Sequence, residues 1–317
     1  MISPATVVLA VLPIYLLTLG GAVLRKLGVL RHDHDVGVMH VIFSVMLPCF
    51  ILDKMLGSEV LRSAGVLFTG AGLGFSFIII GLVVGYGTGK IIGLIPGNGI
   101  RTFALTSGCQ NYGFLSIPAV EILWGSSAVA VLFVHNIGVE IALWSIGVML
   151  MSGERGIRWK RLINGPIIAV VTGILLISLH LDDKINGPVR EAMHMAGAGA
   201  FPLAIIMTGA SIIDLVGSEK PSWKIIFASI VVRIIVIPAI IIVCAKHIPM
   251  AVEIRQVLLV QAAMPAAMTP ILLARLYGGK SSVAVQIVVA TTIVSIFSLP
   301  YIITFGIRYL NLTPITH

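Results

Sequence analysis

Ten long apolar segments dominate the sequence and constrain its fold more than any other feature. Each has roughly the length of 20 residues that an α-helix needs to cross a bilayer. Hydrophobic residues make up 58% of the chain and charged residues 11%, which leaves little sequence for a soluble domain. The chain is therefore predicted to be an all-α polytopic membrane protein with ten transmembrane helices. These lie at about 5–24, 36–57, 66–89, 102–124, 127–151, 164–180, 193–215, 223–245, 255–277 and 282–306.

The positions of lysine and arginine predict how these helices are oriented. If the N-terminus is outside, most of these residues fall in loops on the cytoplasmic side, as positively charged loops usually do. We therefore expect a multi-pass plasma (bacterial inner) membrane protein with both termini outside the cytoplasm. No basic stretch precedes the first segment, so no cleaved signal peptide is expected. The net charge of +8 is spread over short loops, and no nucleic-acid partner is predicted.

Two of the apolar segments are interrupted by proline and glycine at matching places in the two halves of the chain. The first break contains Asn111 and the second contains Pro265, 154 positions later. Five segments in each half predict a 5+5 inverted repeat, because an odd number of spans turns the second copy upside down. We expect the first repeat at 1–152, a cytoplasmic connector at 153–163 and the second repeat at 164–317.

Polar side chains near the two breaks are the candidates for binding a substrate. A broken helix leaves backbone groups that lipid cannot satisfy, and its half-helix N-termini attract anions. For one break alone, a proline kink that only shapes the bundle is the alternative interpretation. Two breaks in the same register, each with polar neighbours, favour a binding site. The candidates here and in the fifth segment are Gln110, Asn111, Tyr112, Pro118, Asn136, Gln261, Pro265 and Thr269.

Arg233 is a further candidate, because it lies near the middle of an otherwise apolar segment. An arginine at that depth costs at least ~2.5–3.5 kcal/mol to insert, so it needs a partner or a wet cavity. One interpretation is a countercharge for a carboxylate substrate. The other is a buried ion pair with Asp53, Glu121 or Glu140. The two interpretations are compatible with each other.

Four ionisable residues are candidates for proton coupling, namely Glu140, His135, Glu121 and Asp53. Glu140 shares a helix face with Asn136, four residues before it. Histidine titrates nearest neutral pH, although a lone histidine in a membrane is more often a packing residue. Asp53 can also simply extend toward the membrane interface. The sequence contains no ligand pattern for a metal or cofactor and no nucleophile–base pairing, so neither a cofactor nor an enzyme is predicted.

At the breaks the chain resembles the auxin efflux carrier family, which joins plant PIN-FORMED exporters with short bacterial carriers. The run from Asn111 to Pro118 resembles the family's Asn-x-Gly-(Phe/Asn)-x-x-x-Pro crossover in the fourth span. Met264-Pro-Ala-Ala267 resembles its partner in the ninth span, and Arg233 followed by Pro238 is similar to the pattern of the eighth. The long central loop of the plant exporters is absent, which favours a short carrier of bacterial type.

The resemblance implies a fold similar to bile acid/sodium symporters and sodium/proton antiporters, with two crossed broken helices. Spans 3–5 and 8–10 would form a moving transport domain. Spans 1, 2, 6 and 7 would form a scaffold that also makes the contact of a homodimer. The implied function is secondary active or potential-driven transport of small organic anions, such as malonate, malate or auxin-like acids, by an elevator mechanism.

A sodium-coupled organic anion symporter is the alternative function. An ion channel is a weaker interpretation, because the polar residues cluster at mid-membrane and do not line a continuous pore.

Overall fold

The computed structural model describes residues 4–153, 163–216 and 220–315. Apart from one isolated β-bridge, the regular structure in these ranges is helical. The α-helices are α1 (Pro4–Lys26), α2 (His32–Val41), α3 (Leu47–Met55), α4 (Ala64–Ile91), α5 (Ile100–Gly108), α6 (Ser116–Ala142), α7 (Val148–Ser152), α8 (Gly165–Ser178), α9 (Gly187–Ala198), α10 (Ala200–Leu215), α11 (Trp223–Ile230), α12 (Ile237–His247), α13 (Val252–Ala263), α14 (Thr269–Leu276) and α15 (Ser281–Leu310).

Several helices continue into one another and form stretches long enough to cross a bilayer. Short π-helical turns at Ile42–Met46, Leu143–Gly147 and Val231–Val236 join α2 to α3, α6 to α7 and α11 to α12. Within the described ranges, six stretches are long and apolar enough to span a membrane: His32–Met55, Ala64–Ile91, Ser116–Ser152, Gly187–Leu215, Trp223–His247 and Ser281–Leu310. The prediction of an all-α, multi-pass membrane protein is therefore confirmed. The number of ten spans and the inverted repeat stay predictions, and most of the connector lies outside the described residues.

Two of the π turns end two residues before a proline. The turn at Ile42–Met46 is followed by Pro48, and the turn at Val231–Val236 is followed by Pro238. A proline cannot donate to the carbonyl four residues before it, so the helix just upstream of the ring cannot keep its regular bonding. The second of these turns contains Arg233.

The long stretch Ser116–Ser152 changes direction at Gly125. This glycine has φ +74° and ψ −166°, a conformation that residues with a side chain rarely adopt. The predicted segments 102–124 and 127–151 meet at this kink.

The helices pack in two groups. In the first group (α1–α3 and α8–α10), α1 lies along α10, and α3 packs against α8 and α9. In the second group (α4–α7 and α11–α15), α4 packs against α5 and α6, while α13 packs against α6 and α12. Contacts of α3 with α6 and of α1 with α15 connect the two groups.

Glycines allow very close helix contacts within both groups. A Cβ atom at Gly209 in α10 would collide with the carbonyl group of Thr18 in α1. In the second group, a Cβ atom at Gly81 of α4 would collide with Gly108 at the end of α5, and the reverse also holds. Small residues let helix backbones approach closely in lipid, and here they hold the end of α5 firmly against α4.

Candidate functional site

The two breaks cross each other inside the protein. Gln110 in the first break and Ala266 in the second form an isolated antiparallel β-bridge. Beside this bridge, the N–H of Asn111 donates to the carbonyl of Pro265 at 2.8 Å. Lipid could not satisfy these backbone groups, so each break supplies the hydrogen bonds that the other needs.

Two further amides of the second break are also satisfied. The N–H of Ala267 donates to the carbonyl of Cys109 at 2.9 Å, and the N–H of Ala266 donates to Oγ1 of Thr291 at 3.2 Å. Thr291 lies on α15, so a helix that contains neither break also supports the crossing. The crossing is thus a bonded unit within the second group of helices.

Four helix ends meet near the crossing. The C-terminal ends of α5 and α13 enter it, and α6 and α14 begin after it. The first amides of a helix have no partner inside that helix and carry partial positive charge, whereas the last carbonyls carry partial negative charge. The site therefore contains two electropositive and two electronegative helix ends.

Arg233 lies at the two electronegative ends. Its side chain is fully buried, with Nη1 3.5 Å from the carbonyl oxygen of Gly108 and Nη2 3.5 Å from that of Ala262. These carbonyls belong to the last turns of α5 and α13. Its partners are therefore backbone oxygens from both broken helices.

The acids considered as partners of Arg233 are bonded to other groups. Asp53 pairs with Arg190, with Nε 3.0 Å from Oδ1, and Glu121 pairs with Lys54, with Nζ 2.5 Å from Oε1. The third acid, in α6, is bonded to two aromatic side chains described below. The interpretation of Arg233 as a member of a buried ion pair with one of these acids is therefore wrong.

A cavity of about 640 Å³ opens beside the crossing, between the two groups of helices. The second group contributes both breaks and one face of α6, and the first group contributes α3, α8 and Phe201 of α10. Among the described residues that line it there is one carboxylic acid, Glu140, and no lysine, arginine or histidine. The polar side chains of the wall are those of Asn111, Tyr112, Asn136, Glu140, Trp144, Asn164 and Thr269.

A hydrogen-bond network fixes the polar wall of the cavity. The hydroxyl group of Tyr112 and the indole N–H of Trp144 each donate to the carboxylate of Glu140 at 2.7 Å. The side-chain amide of Asn136 donates to the carbonyl of Tyr112 at 2.9 Å, and Nε2 of Gln261 lies 3.4 Å from Oδ1 of Asn136. The network connects α6 with the first break and with α13.

The structure separates the predicted site residues into two sets. Five of them line the cavity: Asn111, Tyr112, Asn136, Glu140 and Thr269. The remaining ones do not line it: Gln110, Gln261 and Pro265, which are buried in the crossing, Pro118 in the first turn of α6, and Arg233, His135, Glu121 and Asp53.

Sequence reasoning missed two polar residues of the cavity wall. Trp144 lies four positions after Glu140 and thus on the same helix face, a spacing that could have identified it. Asn164 caps α8, where its side chain accepts from the N–H of Ile167 at 3.0 Å. Its position directly after the connector gave no signal of a role in the cavity.

Comparison with known proteins relates the chain to membrane transport proteins over nearly its whole length. A family model described as "Membrane transport protein" matches residues 6–158 and 154–303, which together cover nearly the whole chain. The chain is also similar to an uncharacterized transporter of Methanocaldococcus jannaschii, with 26% identity over 327 aligned positions. That alignment covers 97% of this chain and 99% of the relative.

Proposed function

The chain belongs to the membrane transport protein family, and we propose that it is a secondary transporter that carries small organic anions by an elevator mechanism. Membership confirms the resemblance to the auxin efflux carriers and makes the protein a membrane transporter. The substrate class, the mechanism and the coupling are the parts that we propose. Each of them is supported by a separate feature of the site.

The observation that carries the proposal is the position of the cavity beside the crossing of two broken helices. Its wall includes Ile117 in the first turn of α6 and Thr269 at the start of α14. The amides of Ile117 and Ile271 already donate to the carbonyls of Gly113 and Met268, so these helix starts favour a negatively charged ligand through their partial positive charge. Asn111 also lines the cavity, and its amide can donate to a carboxylate. Sites of this design at mid-membrane are typical of secondary transporters.

The lining favours a monoanion with an apolar body. The described wall offers no cationic side chain to a second carboxylate, so a dianion such as malonate or malate would bury a charge without a partner. Aromatic rings form much of the apolar wall, and Phe43 and Phe114 meet edge to face with ring centroids 5.8 Å apart. An auxin-like acid would place its ring against such side chains. We therefore favour this class over the small dicarboxylates.

The division of the helices into two groups supports the elevator mechanism. The cavity lies between the groups, with Leu47 and Val170 on the first and Asn111 and Glu140 on the second. Sliding of the second group against the first would carry the cavity across the membrane. In this proposal, the first group is the scaffold of spans 1, 2, 6 and 7, and it also makes the homodimer contact. The second group is the transport domain of spans 3–5 and 8–10.

We propose potential-driven or proton-linked movement without obligatory sodium. Export of a monoanion is driven by the membrane potential alone, at about 2.3 kcal/mol per charge per 100 mV. Glu140 is the acid of the cavity wall and is our candidate for the proton carrier. The proposed location is a bacterial inner membrane, with both termini outside the cytoplasm.

Reconstitution into liposomes tests this proposal. The purified protein is assayed with indole-3-acetate, phenylacetate, malonate and malate, while the pH and sodium gradients are varied separately. We expect saturable transport of the aromatic monocarboxylates, slower or no transport of the dicarboxylates, and no requirement for sodium. Liposomes without protein serve as the control. A preference for dicarboxylates, or a strict sodium requirement with no response to pH, would contradict the proposal.

A further inference from the structure

The guanidinium group of Arg233 connects two helix ends that are far apart in the sequence. Nη1 contacts the last residue of α5, Gly108, and Nη2 contacts Ala262 in the last turn of α13. The side chain is fully buried and lies outside the cavity wall. Arg233 therefore contacts the electronegative helix ends of the crossing, whereas the cavity lies beside the electropositive ones.

The charges at this point match. The C-terminal end of a helix carries roughly −0.5 elementary charge, so two ends together present about −1 to a group between them. One guanidinium group supplies the balancing +1. Its planar fork also offers separate N–H donors to two oxygens, which a lysine cannot present in the same fixed geometry.

The backbone around Arg233 places its side chain at the crossing. The residue lies in the π turn Val231–Val236, which Pro238 follows, and the adjoining helix α12 packs along α13. The base of the side chain and the crossing are thus held by neighbouring helices of the same group.

We propose that Arg233 is a built-in cation that takes the place of a bound metal cation at the crossing and fixes the relative position of α5 and α13. Two carbonyl ends without a resident cation would attract a hard inorganic cation, since backbone carbonyls are among its usual ligands. With the guanidinium group in place, the crossing needs no such ion. This inference is tested by thermal stability and by transport. The transport test rests on the proposed function, whereas the stability test needs no substrate.

The test uses Arg233→Ala, Arg233→Lys and a control, Arg275→Ala, which removes an exposed arginine from α14. Thermal unfolding of each purified protein is measured with and without millimolar guanidinium, and separately with sodium. We expect Arg233→Ala to unfold at a lower temperature than the wild type and to recover in part when guanidinium or sodium is added. The wild type and Arg275→Ala should respond to neither ion.

Transport by the same proteins gives a second readout. Arg233→Ala should be slower by about tenfold or more, because two hydrogen bonds to a charged group are lost, and guanidinium should restore part of the rate. Arg233→Lys keeps the positive charge and loses the planar pair of N–H donors. It should therefore fold, and its transport should be slow and independent of sodium.

Three results would overturn the proposal. The first is a wild type that needs sodium for transport. The second is an Arg233→Ala protein whose unfolding temperature does not change with guanidinium or sodium. The third is an Arg233→Lys protein whose stability and transport are as impaired as those of Arg233→Ala. If the wild type transports none of the substrates, the proposed function fails, and the thermal measurement still decides the role of Arg233.

Discussion

The two breaks occupy equivalent places in the crossing, but they contribute different chemistry. The first break places the side chains of Asn111 and Tyr112 in the cavity wall. The second break adds residues 267–269 to the wall, and Thr269 is their one polar side chain. It also contributes main-chain bonds, because the carbonyl of Pro265 accepts from the first break and the amide of Ala266 donates to Thr291. The first break therefore supplies an amide and a phenol group to the cavity wall, whereas the second supplies one hydroxyl group and most of the main-chain bonds of the crossing.

The composition of each break explains this difference. In the second break, Ala266 and Ala267 are small and almost completely buried, which lets the first break approach closely enough to form the bridge. In the first break, Asn111 and Tyr112 leave the bridge on the side of the cavity. Two crossed breaks can thus hold a cavity wall with different chemistry on each side, because only the side chains need to differ.

In the proposed elevator mechanism, both breaks move together with the second group. Lys54 in α3 and Glu121 in α6 form a bridge between the groups, whereas Asp53 and Arg190 pair within the first group. Cysteines introduced at positions 54 and 121, in a protein without its native cysteines, should abolish transport when they are cross-linked. Reduction should restore it. A cross-link between cysteines at 53 and 190 should leave the rate of that variant unchanged, and normal transport by the cross-linked 54–121 protein would exclude relative movement there.

Asn111→Ala should have the next largest effect, because it removes the ligand contact that we propose for the first break. We expect the affinity for a carboxylate to fall by about 10–100-fold, since a hydrogen bond to a charged group contributes ~1.5–3 kcal/mol. Thermal stability should stay near that of the wild type. Binding is measured by titration calorimetry, with Ala266→Ser in the second break, which does not line the cavity, as the control. Equal losses in the two variants would remove the distinction between the breaks.

Ala266→Leu should act on stability and spare the ligand contacts. The site is fully packed at the bridge, so the larger side chain should destabilise the protein by about 1–3 kcal/mol. Ala192→Leu, at an exposed position of α9, is the matched control and should change stability little. Denaturant or thermal unfolding in detergent measures both. A variant at 266 as stable as the control would show that the crossing is looser than the structure indicates.

Glu140→Gln should have the smallest effect on the exchange rate. The amide oxygen of glutamine can still accept a hydrogen bond from Tyr112 or Trp144, so the wall should keep its shape. If Glu140 carries the proton, transport in this variant should no longer respond to a pH gradient, although exchange of substrate should continue. Glu121→Gln, outside the cavity, should keep its pH response. A pH response in Glu140→Gln equal to that of the wild type would assign proton coupling to another group.

The sequence by itself determined the class of the fold, the positions of the breaks and the family. Apolar segments of membrane-spanning length predict helices because lipid leaves the backbone no other way to satisfy its hydrogen bonds. Proline and glycine act on the backbone within one helical turn, so the breaks near Asn111 and Pro265 could be located without knowledge of the packing. Whether ten spans form two inverted repeats stays a prediction.

Only the tertiary structure decided which groups meet. Arg233 and Gly108 are 125 positions apart, and the sequence suggested a carboxylate partner because charge alone gives no sign of a helix end. The same holds for the cavity, where Tyr112 reaches Glu140 over 28 positions and no cationic side chain appears among the described wall residues. Contacts of this kind depend on how separate helices pack against one another, whereas helix formation and helix breaking depend on neighbours along the chain.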